Sequence, residues 1–339
     1  MIEEPTCLIL GAGASAPYGL PTTDELRHLM LPLTPEAAAT TATFVLNHPP
    51  RGFIEPKNPQ KEWYIYLNQV CESAGLTDCL KSFYAKFSGA DRNIDWFLRR
   101  NESEFGDVAR LHIAAALLAC ERNDRLRGDW YQLLSEEIIP RNLESLEEGK
   151  LSVITFNYDR SFERYFLNQF ENLCNFPPAE AQAAVSKIKL EHVYGQLGTL
   201  DYVPYGNYER ASTASRQIRT IRLEPDQEVQ ARIGKLIRES TYINFIGFGF
   251  DDENIELLGP ANFKGKRVYS TTRGMSARTR EKVRKLLRVR FNAKDTASLT
   301  AAELLNAKDL FGPKLPPPSA PKKTGSTRRP SNWMSGWRV

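Results

Sequence analysis

The sequence predicts an α/β fold: a Rossmann-like, doubly wound parallel sheet with an inserted helical subdomain. Two observations predict it. Short apolar strand-like runs alternate with helical patterns before residue 35 and again after residue 150, which implies a mostly parallel sheet covered on both faces. Between residues 35 and 146 strand signals nearly vanish and helical spacing takes over, so an insertion is expected there.

Thr6–Leu10 is an apolar run closed by Gly11 and reads as a buried strand, followed by a glycine loop and a helix over 23–30. Within the insertion, residues 62–70, 78–87, 107–120 and 130–138 place apolar side chains at helical spacing, and 47–60 is a proline-rich connection. Strands follow at 151–156, 190–194, 242–248 and 267–271, with helices at 159–170, 226–239, 252–258 and 277–287. Residues 289–291 read as a short strand and 298–310 as a helix. The expected organisation is one nucleotide-fold domain over 1–310. Its sheet parts are about 5–34 and 150–310, its helical insert about 35–149, and a disordered Pro-rich basic tail occupies 311–339.

Composition narrows the function classes. With 41% hydrophobic and 25% charged residues, a wholly disordered, collagen-like or coiled-coil chain is excluded. No run approaches the roughly 18 apolar residues of a membrane span. The first five residues lack the basic-then-apolar order of a secretory signal. The net charge of +4 belongs to the tail, which holds Lys314, Lys322, Lys323, Arg328, Arg329 and Arg338. The remaining 39 basic side chains face 41 acidic ones, a net of −2, so the body shows no electrostatic footprint for nucleic acid. Contact with nucleic acid is expected only indirectly or through the tail, where Trp333, Trp337 and Arg338 offer stacking. Cys7, Cys71, Cys79, Cys120 and Cys174 form no C-x-x-C pair, so no zinc ribbon is expected, and the reducing cytoplasm fits best.

Gly11-Ala12-Gly13-Ala14-Ser15-Ala16 satisfies G-x-G-x-x-A between a strand and a helix. Two readings are open: a backbone cradle for a pyrophosphate, or a tight turn needed for close packing. The acidic residue that ends the second strand of standard dehydrogenases is missing.

With Gly19-Leu20-Pro21-Thr22 behind it, this loop resembles the first motif of sirtuin-like proteins. Pro21-Thr22-Thr23-Asp24-Glu25-Leu26 is similar to the form in the bacterial branch associated with antiphage defence. Thr155-Phe156-Asn157-Tyr158-Asp159 resembles the sirtuin TQNID. Gly247-Phe248-Gly249-Phe250-Asp251-Asp252 resembles a late segment that closes on the nucleotide, and Ile94-Asp95-Trp96-Phe97-Leu98 a segment of the helical insert. The ordered set covers most of residues 5–275. The resemblance implies NAD+ as substrate and no metal. It also implies a binding set of Gly11, Ala12, Gly13, Ser15, Pro21, Thr22, Tyr194, Gly195, Gly247, Gly249 and Asp252.

Sirtuin-like proteins cleave the nicotinamide–ribose bond through an oxocarbenium-like transition state. By resemblance Asn157 is the leading catalytic residue, because its amide can donate and accept toward ribose hydroxyls or the attacking water. The competing reading is a helix N-cap. Asp159 is the second expected catalytic residue, contacting the nicotinamide amide or orienting Asn157, with a capping role as its alternative. Glu163, one turn on, reads as solvated or structural. The family's base is a histidine directly before glycine. Here Tyr194 precedes Gly195, and His192 lies two residues earlier on the same strand face. A histidine suits proton transfer at neutral pH better than a tyrosine, so His192 is the expected base, with Tyr194 as the other occupant of that position. His28, His48 and His112 read as structural. Tyr202, Tyr205 and Tyr208 are expected either to form a loop beside the site or to pack within it.

Deacylase sirtuins carry a four-cysteine zinc module that this sequence lacks, so water is the simplest acceptor. The expected activity is NAD+ hydrolysis to nicotinamide and ADP-ribose by a defence effector. It would be activated through homo-oligomerisation or a protein partner such as a motor ATPase or an Argonaute-like protein. The alternative is an inactive NAD- or ADP-ribose-binding module of a larger complex, and a protein deacylase stands behind that.

Overall fold

β1 (Thr6–Leu10) is buried along its whole length because apolar side chains leave it in both directions. Leu8 and Leu10 enter the core on one face of the sheet, Cys7 and Ile9 the core on the other. Such a strand belongs at the centre of a parallel sheet. In the computed structural model, which describes residue 2 and residues 4–31, 59–90, 93–139, 150–219, 226–287 and 300–307, it is the middle of five strands. The others are β2 (Leu151–Thr155), β3 (Lys189–His192), β4 (Tyr242–Ile246) and β5 (Arg267–Ser270). Their order is β3-β2-β1-β4-β5 and every pair is parallel. The chain winds outward from β1 through β2 to β3, then crosses back to β4. The topological switch point therefore lies between the carboxyl ends of β1 and β4, where ligands of this fold class bind. The fold is the α/β, Rossmann-like one expected.

Register fixes what meets there. Leu10 lies opposite Thr155 on one side and Ile246 on the other, so Gly11, Phe156 and Gly247 leave the sheet at one level. β2, β3 and β4 each end one or two residues before the strand expected there. Gly247 (φ +59°) turns the chain out of β4, and Gly195 (φ +74°) turns it shortly after β3.

The helices in chain order are α1 (Ala12–Ser15), α2 (Thr23–Leu29), α3 (Pro59–Ser73), α4 (Thr77–Gly89), α5 (Ile94–Cys120), α6 (Asp129–Ile138) and α7 (Ser161–Asn172). They continue as α8 (Pro178–Ser186), α9 (Ala211–Ser215), α10 (Gln227–Glu239), α11 (Asp252–Leu258), α12 (Ala277–Leu287) and α13 (Ala301–Ala307). α6, α7, α8 and α13 cover one face of the sheet, and α10, α11 and α12 the other. α3, α4 and α5 form a third core with α9, built on Phe83, Phe87, Phe97 and Phe105 and the alanine-rich second half of α5. α6 falls within the stretch expected as insert, yet Trp130, Tyr131 and Leu134 pack on the sheet beside Leu8 and Leu10. α8 and α9 were not expected; α8 is an Ala-rich segment with a weak apolar stripe. The strand expected at 289–291, most of the 47–60 connection, His48 and the 311–339 tail lie outside the described residues. Among the described residues no helix is long and apolar enough to cross a membrane.

Local chemistry sets the helix ends that matter here. Thr22 and Glu25 close a capping box on α2, with the Thr22 backbone N–H donating to Glu25 Oε2 at 2.8 Å. Asn93 caps α5 by accepting from the Trp96 N–H at 2.9 Å. α5 breaks helical geometry at Asn101 (φ −127°, ψ 15°), whose amide donates back to the Phe97 carbonyl at 2.8 Å. The break separates the first turns, which reach the sheet's carboxyl edge, from the long arm that forms the insert's core. On that arm His112 is wholly buried among Trp63, Phe83 and Tyr84, and burial pushes its pKa down to about 3.

Insert and sheet are joined by a buried ion pair. Glu121, which follows α5, faces Arg160, which precedes α7, and neither side chain is exposed. Arg160 Nε and one terminal nitrogen donate to the two carboxylate oxygens at 3.1 and 2.5 Å. The other terminal nitrogen donates to the Gly198 and Val203 carbonyls. The Gly206 N–H donates to Glu121 Oε2 at 3.1 Å. Burial pushes the Glu121 carboxyl up, and Arg160 opposes that. Removing one partner leaves the other charged, buried and uncompensated. Glu121→Ala is therefore expected to cost about 3–5 kcal/mol of unfolding free energy, read as a lower urea midpoint.

Candidate functional site

A cleft of about 570 Å³ opens at the switch point. Its floor is the glycine loop, Gly11 to Gly13, and the Gly247–Gly249 turn. Phe156, Asn157 and Tyr194 form one wall. The first turn of α2 and the first turns of α5 close a second side, and Asp251, Asn254 and residues 271–279 complete the rim.

Of the expected binding residues, Gly11, Ala12, Gly13, Thr22, Tyr194, Gly247 and Gly249 line this cleft, and so does Asn157. Ser15, Pro21, Gly195 and Asp252 do not line it. Ser15 and Pro21 are buried beneath it. Gly195 shapes the turn after β3, where a Cβ would sit 2.0 Å from the Gln217 carbonyl oxygen. The Asp252 side chain is 79% exposed and pairs with Lys282.

Asn157 is held in one orientation. Its Nδ2 donates to the Gly11 carbonyl at 3.0 Å and to Ser15 Oγ at 3.1 Å. A carbonyl can only accept, so the atom facing Gly11 must be the nitrogen. Among the described residues Oδ1 has no hydrogen-bond partner, which leaves it as the amide's free acceptor. The helix-cap alternative is not what is seen, since α7 begins only at Ser161 and is preceded by Arg160.

His192 and Asp159 lie behind this amide, outside the cleft lining. His192 Nδ1 sits 3.0 Å from the Asn157 carbonyl oxygen, and Nε2 sits 2.8 Å from Glu163 Oε1. Its side chain is 9% exposed. Burial alone would lower the ring's pKa, but the Glu163 carboxylate, its hydrogen bond and the Asn157 carbonyl outweigh that and raise it. The protonated ring can donate from both nitrogens to these two acceptors. In this geometry His192 fixes the backbone of Asn157, and neither ring nitrogen is free to take a substrate's proton. Glu163, expected to be solvated or structural, is its partner.

Asp159 Oδ1 accepts from the Ser161 N–H at 3.0 Å and from Ser161 Oγ at 2.5 Å. With that hydroxyl proton committed, Tyr131 OH donates to Ser161 Oγ at 2.8 Å. Ser15 Oγ lies 3.3 Å from Ser161 Oγ. Burial pushes the Asp159 carboxyl up against these bonds. Asp159 thus belongs to a buried polar chain that ends on the Asn157 amide.

The glycines also serve close packing. Gly13 N–H donates to the Gly247 carbonyl at 3.0 Å, and Gly11 N–H to the Ile246 carbonyl at 3.0 Å. A Cβ on Gly11 would sit 2.6 Å from Gly247 O, and one on Gly247 only 2.0 Å from Ala14 N. These small residues let two loops touch backbone to backbone, as close packing demands.

The insert side of the cleft was not among the expected site residues. Asp95, Trp96 and Arg99 come from the first turns of α5. Tyr158 OH donates to Asp95 Oδ1 at 3.1 Å. Arg99 pairs with Glu253 at 2.5 Å, joining α5 to α11. Tyr194 OH donates to Asn254 Oδ1 at 2.5 Å, and burial raises its pKa well above the ordinary tyrosine value. Burial pushes the Asp95 carboxyl up to about 6. The resemblance over residues 94–98 was the one sequence signal for this wall. Tyr202, Tyr205 and Tyr208 do not line the cleft; Tyr205 and Tyr208 pack against the cores. Among the described residues no group of three or more His, Cys, Asp or Glu could hold a metal ion.

No protein-family model matches the sequence, and no curated protein shows significant similarity to it.

Two outcomes follow from this geometry. Gly247→Ala forces a Cβ into the Ala14 backbone at a positive φ, and is expected to cost more than about 4 kcal/mol or to prevent folding, measured by thermal and urea denaturation. His192 has a folded pKa above its unfolded value, so its stabilisation is complete below about pH 6.5 and is lost as pH rises through the raised value. Glu163→Gln should lower the His192 pKa, read by NMR titration of the ring, and should flatten that alkaline loss.

Proposed function

We propose that the protein is an NAD+ glycohydrolase of sirtuin-like type, cleaving the nicotinamide–ribose bond to give nicotinamide and ADP-ribose. The observation that carries this reading is Asn157. Its amide is pinned at the switch point by Gly11 and Ser15, the residue lines the cleft, and Oδ1 has no hydrogen-bond partner among the described residues. An acceptor held rigidly beside a ribose can bind its hydroxyls or orient water as positive charge develops at C1′. The position suits a dinucleotide on fold grounds. Further support comes from the motif order, since the segments resembling the sirtuin motifs leave β1, β2 and β4 at one end of the sheet. In this reading Asn157 is the catalytic residue, and His192 and Asp159 act through it as positioning residues. A defence role, homo-oligomerisation and activation by a motor ATPase or an Argonaute-like protein belong to the same proposal, as does a place in the cytoplasm.

A second reading is a binding module that holds NAD+ or ADP-ribose without hydrolysis. What favours it is His192, which has both ring nitrogens engaged outside the cleft.

Nicotinamide release from NAD+, with and without the product of a neighbouring gene, tests the first reading. Asn157→Ala should reduce release by about 100-fold or more while the melting transition stays cooperative. ADP-ribose binding without any release would select the second reading. Neither binding nor release under any condition would overturn both.

A further inference from the structure

If the cleft hydrolyses NAD+, some group must accept a proton from the attacking water, and the expected histidine is not placed to do so. The titratable side chains that line the cleft decide the alternative. Asp24 is exposed to water on the first turn of α2. Glu253 is committed to Arg99, and the Tyr194 hydroxyl to Asn254. Asp251 directly precedes α11 and is not tied to the Asn157 segment by any hydrogen bond among the described residues. Asp95 differs from all of these. It is half-buried, it lines the cleft, and it is bonded to the hydroxyl of Tyr158, the residue next to Asn157.

We propose that Asp95 is the proton acceptor of the cleft, its carboxylate taking the proton of the water that attacks ribose C1′. This rests on the glycohydrolase reading. In the step, the water oxygen bonds to C1′. The C1′–N bond breaks, and its electron pair passes to the pyridinium nitrogen, leaving neutral nicotinamide. The water proton passes to Asp95, which returns it to solvent once ADP-ribose departs.

The surroundings of Asp95 suit that task. Burial raises its pKa to about 6. The Tyr158 hydroxyl opposes the rise, Asp251 of the same cleft adds to it, and Arg99 on the same helix opposes it. Tyr194 faces it from the segment after β3. Such a carboxylate is ionised at neutral pH yet more basic than an ordinary aspartate, as a general base should be. Among the described residues the Tyr158 hydroxyl is the one hydrogen-bond donor to this carboxylate.

Asp95→Asn in the full-length protein provides the test. The expected result is a fall in kcat of at least about 100-fold with the Kd for ADP-ribose unchanged. The variant should also melt higher than wild type at alkaline pH. A raised carboxyl pKa means that ionised Asp95 opposes folding above about pH 6, and the amide removes that opposition. Tyr158→Phe removes a bond that favours the carboxylate, so the acid limb of its kcat profile should move to higher pH while the plateau remains. A structural role would leave that limb in place. Wild-type kcat in Asp95→Asn overturns the inference, and so does loss of ADP-ribose binding in that variant. An unshifted limb in Tyr158→Phe overturns it too. A wild-type protein that binds ADP-ribose but never hydrolyses NAD+ overturns the base while leaving the ligand class intact. One that does neither overturns the glycohydrolase reading itself.

Discussion

The buried pair between Arg160 and Glu121 is the constraint from which the cleft is built. Two unexposed charges persist because they are densely hydrogen-bonded: the carboxylate by the guanidinium and two backbone N–H groups, the guanidinium also by two carbonyls. Meeting those demands brings three separate stretches of chain together: the end of α5, the loop after β2, and the 198–206 segment. Once Arg160 is anchored, the three residues before it have little freedom. Asn157 reaches back to the glycine loop, Tyr158 reaches across to α5, and Asp159 turns into the buried serines. A four-residue stretch thus ties the sheet to the insert, each side chain pointing at a different neighbour.

The second constraint is purely steric. Gly11, Gly13 and Gly247 let the β1 and β4 exits touch, with Gly13 N–H already spent on the Gly247 carbonyl. A glycine pattern of this kind does not by itself announce a phosphate cradle, because the same residues are demanded by loop-on-loop packing. What it secures is a rigid floor. Asn157 hangs from that floor by the Gly11 carbonyl, and His192 holds its backbone from behind. An imidazole held between a carbonyl and a carboxylate is a strong clamp, which explains why a histidine stands two residues before Tyr194 without facing the cleft.

Much of this was legible in the sequence, and the unread part has a common cause. β1, β2 and β4 are apolar runs that stop at glycine or asparagine, and a strand buried on both faces must read that way. The glycine loop, Asn157 and the Gly247 turn follow from those strand ends. Arg160 and Glu121 were not legible as buried partners, nor Glu163 as the partner of His192. A charge within a polar stretch is normally solvated, and only the approach of segments 39 residues apart makes Arg160 and Glu121 an exception. His192 was expected on the face of Tyr194, toward the ribose, but β3 ends at His192, whose ring turns to Glu163 on α7 while Tyr194 lines the cleft. α8 escaped notice because an alanine-rich segment carries little amphipathic contrast.

The insert has a further consequence for the chemistry proposed for the cleft. The carboxyl edge of a bare parallel sheet is open to water, and a carboxylate there would have an ordinary acidity. The first turns of α5 cover that edge. They are capped by Asn93, separated from the arm at Asn101, and tied down by Tyr158 to Asp95 and by Arg99 to Glu253. Covering removes water from Asp95 and raises its proton affinity, while the single Tyr158 bond keeps it ionisable. The same helices that enlarge the protein's core therefore set the acidity of a cleft carboxylate bonded to the residue after Asn157. Loosening α5 from the sheet would rehydrate Asp95 and return it toward an ordinary carboxylate. Any partner that shifts α5 against the sheet would in that way change the basicity of the cleft without touching the nucleotide.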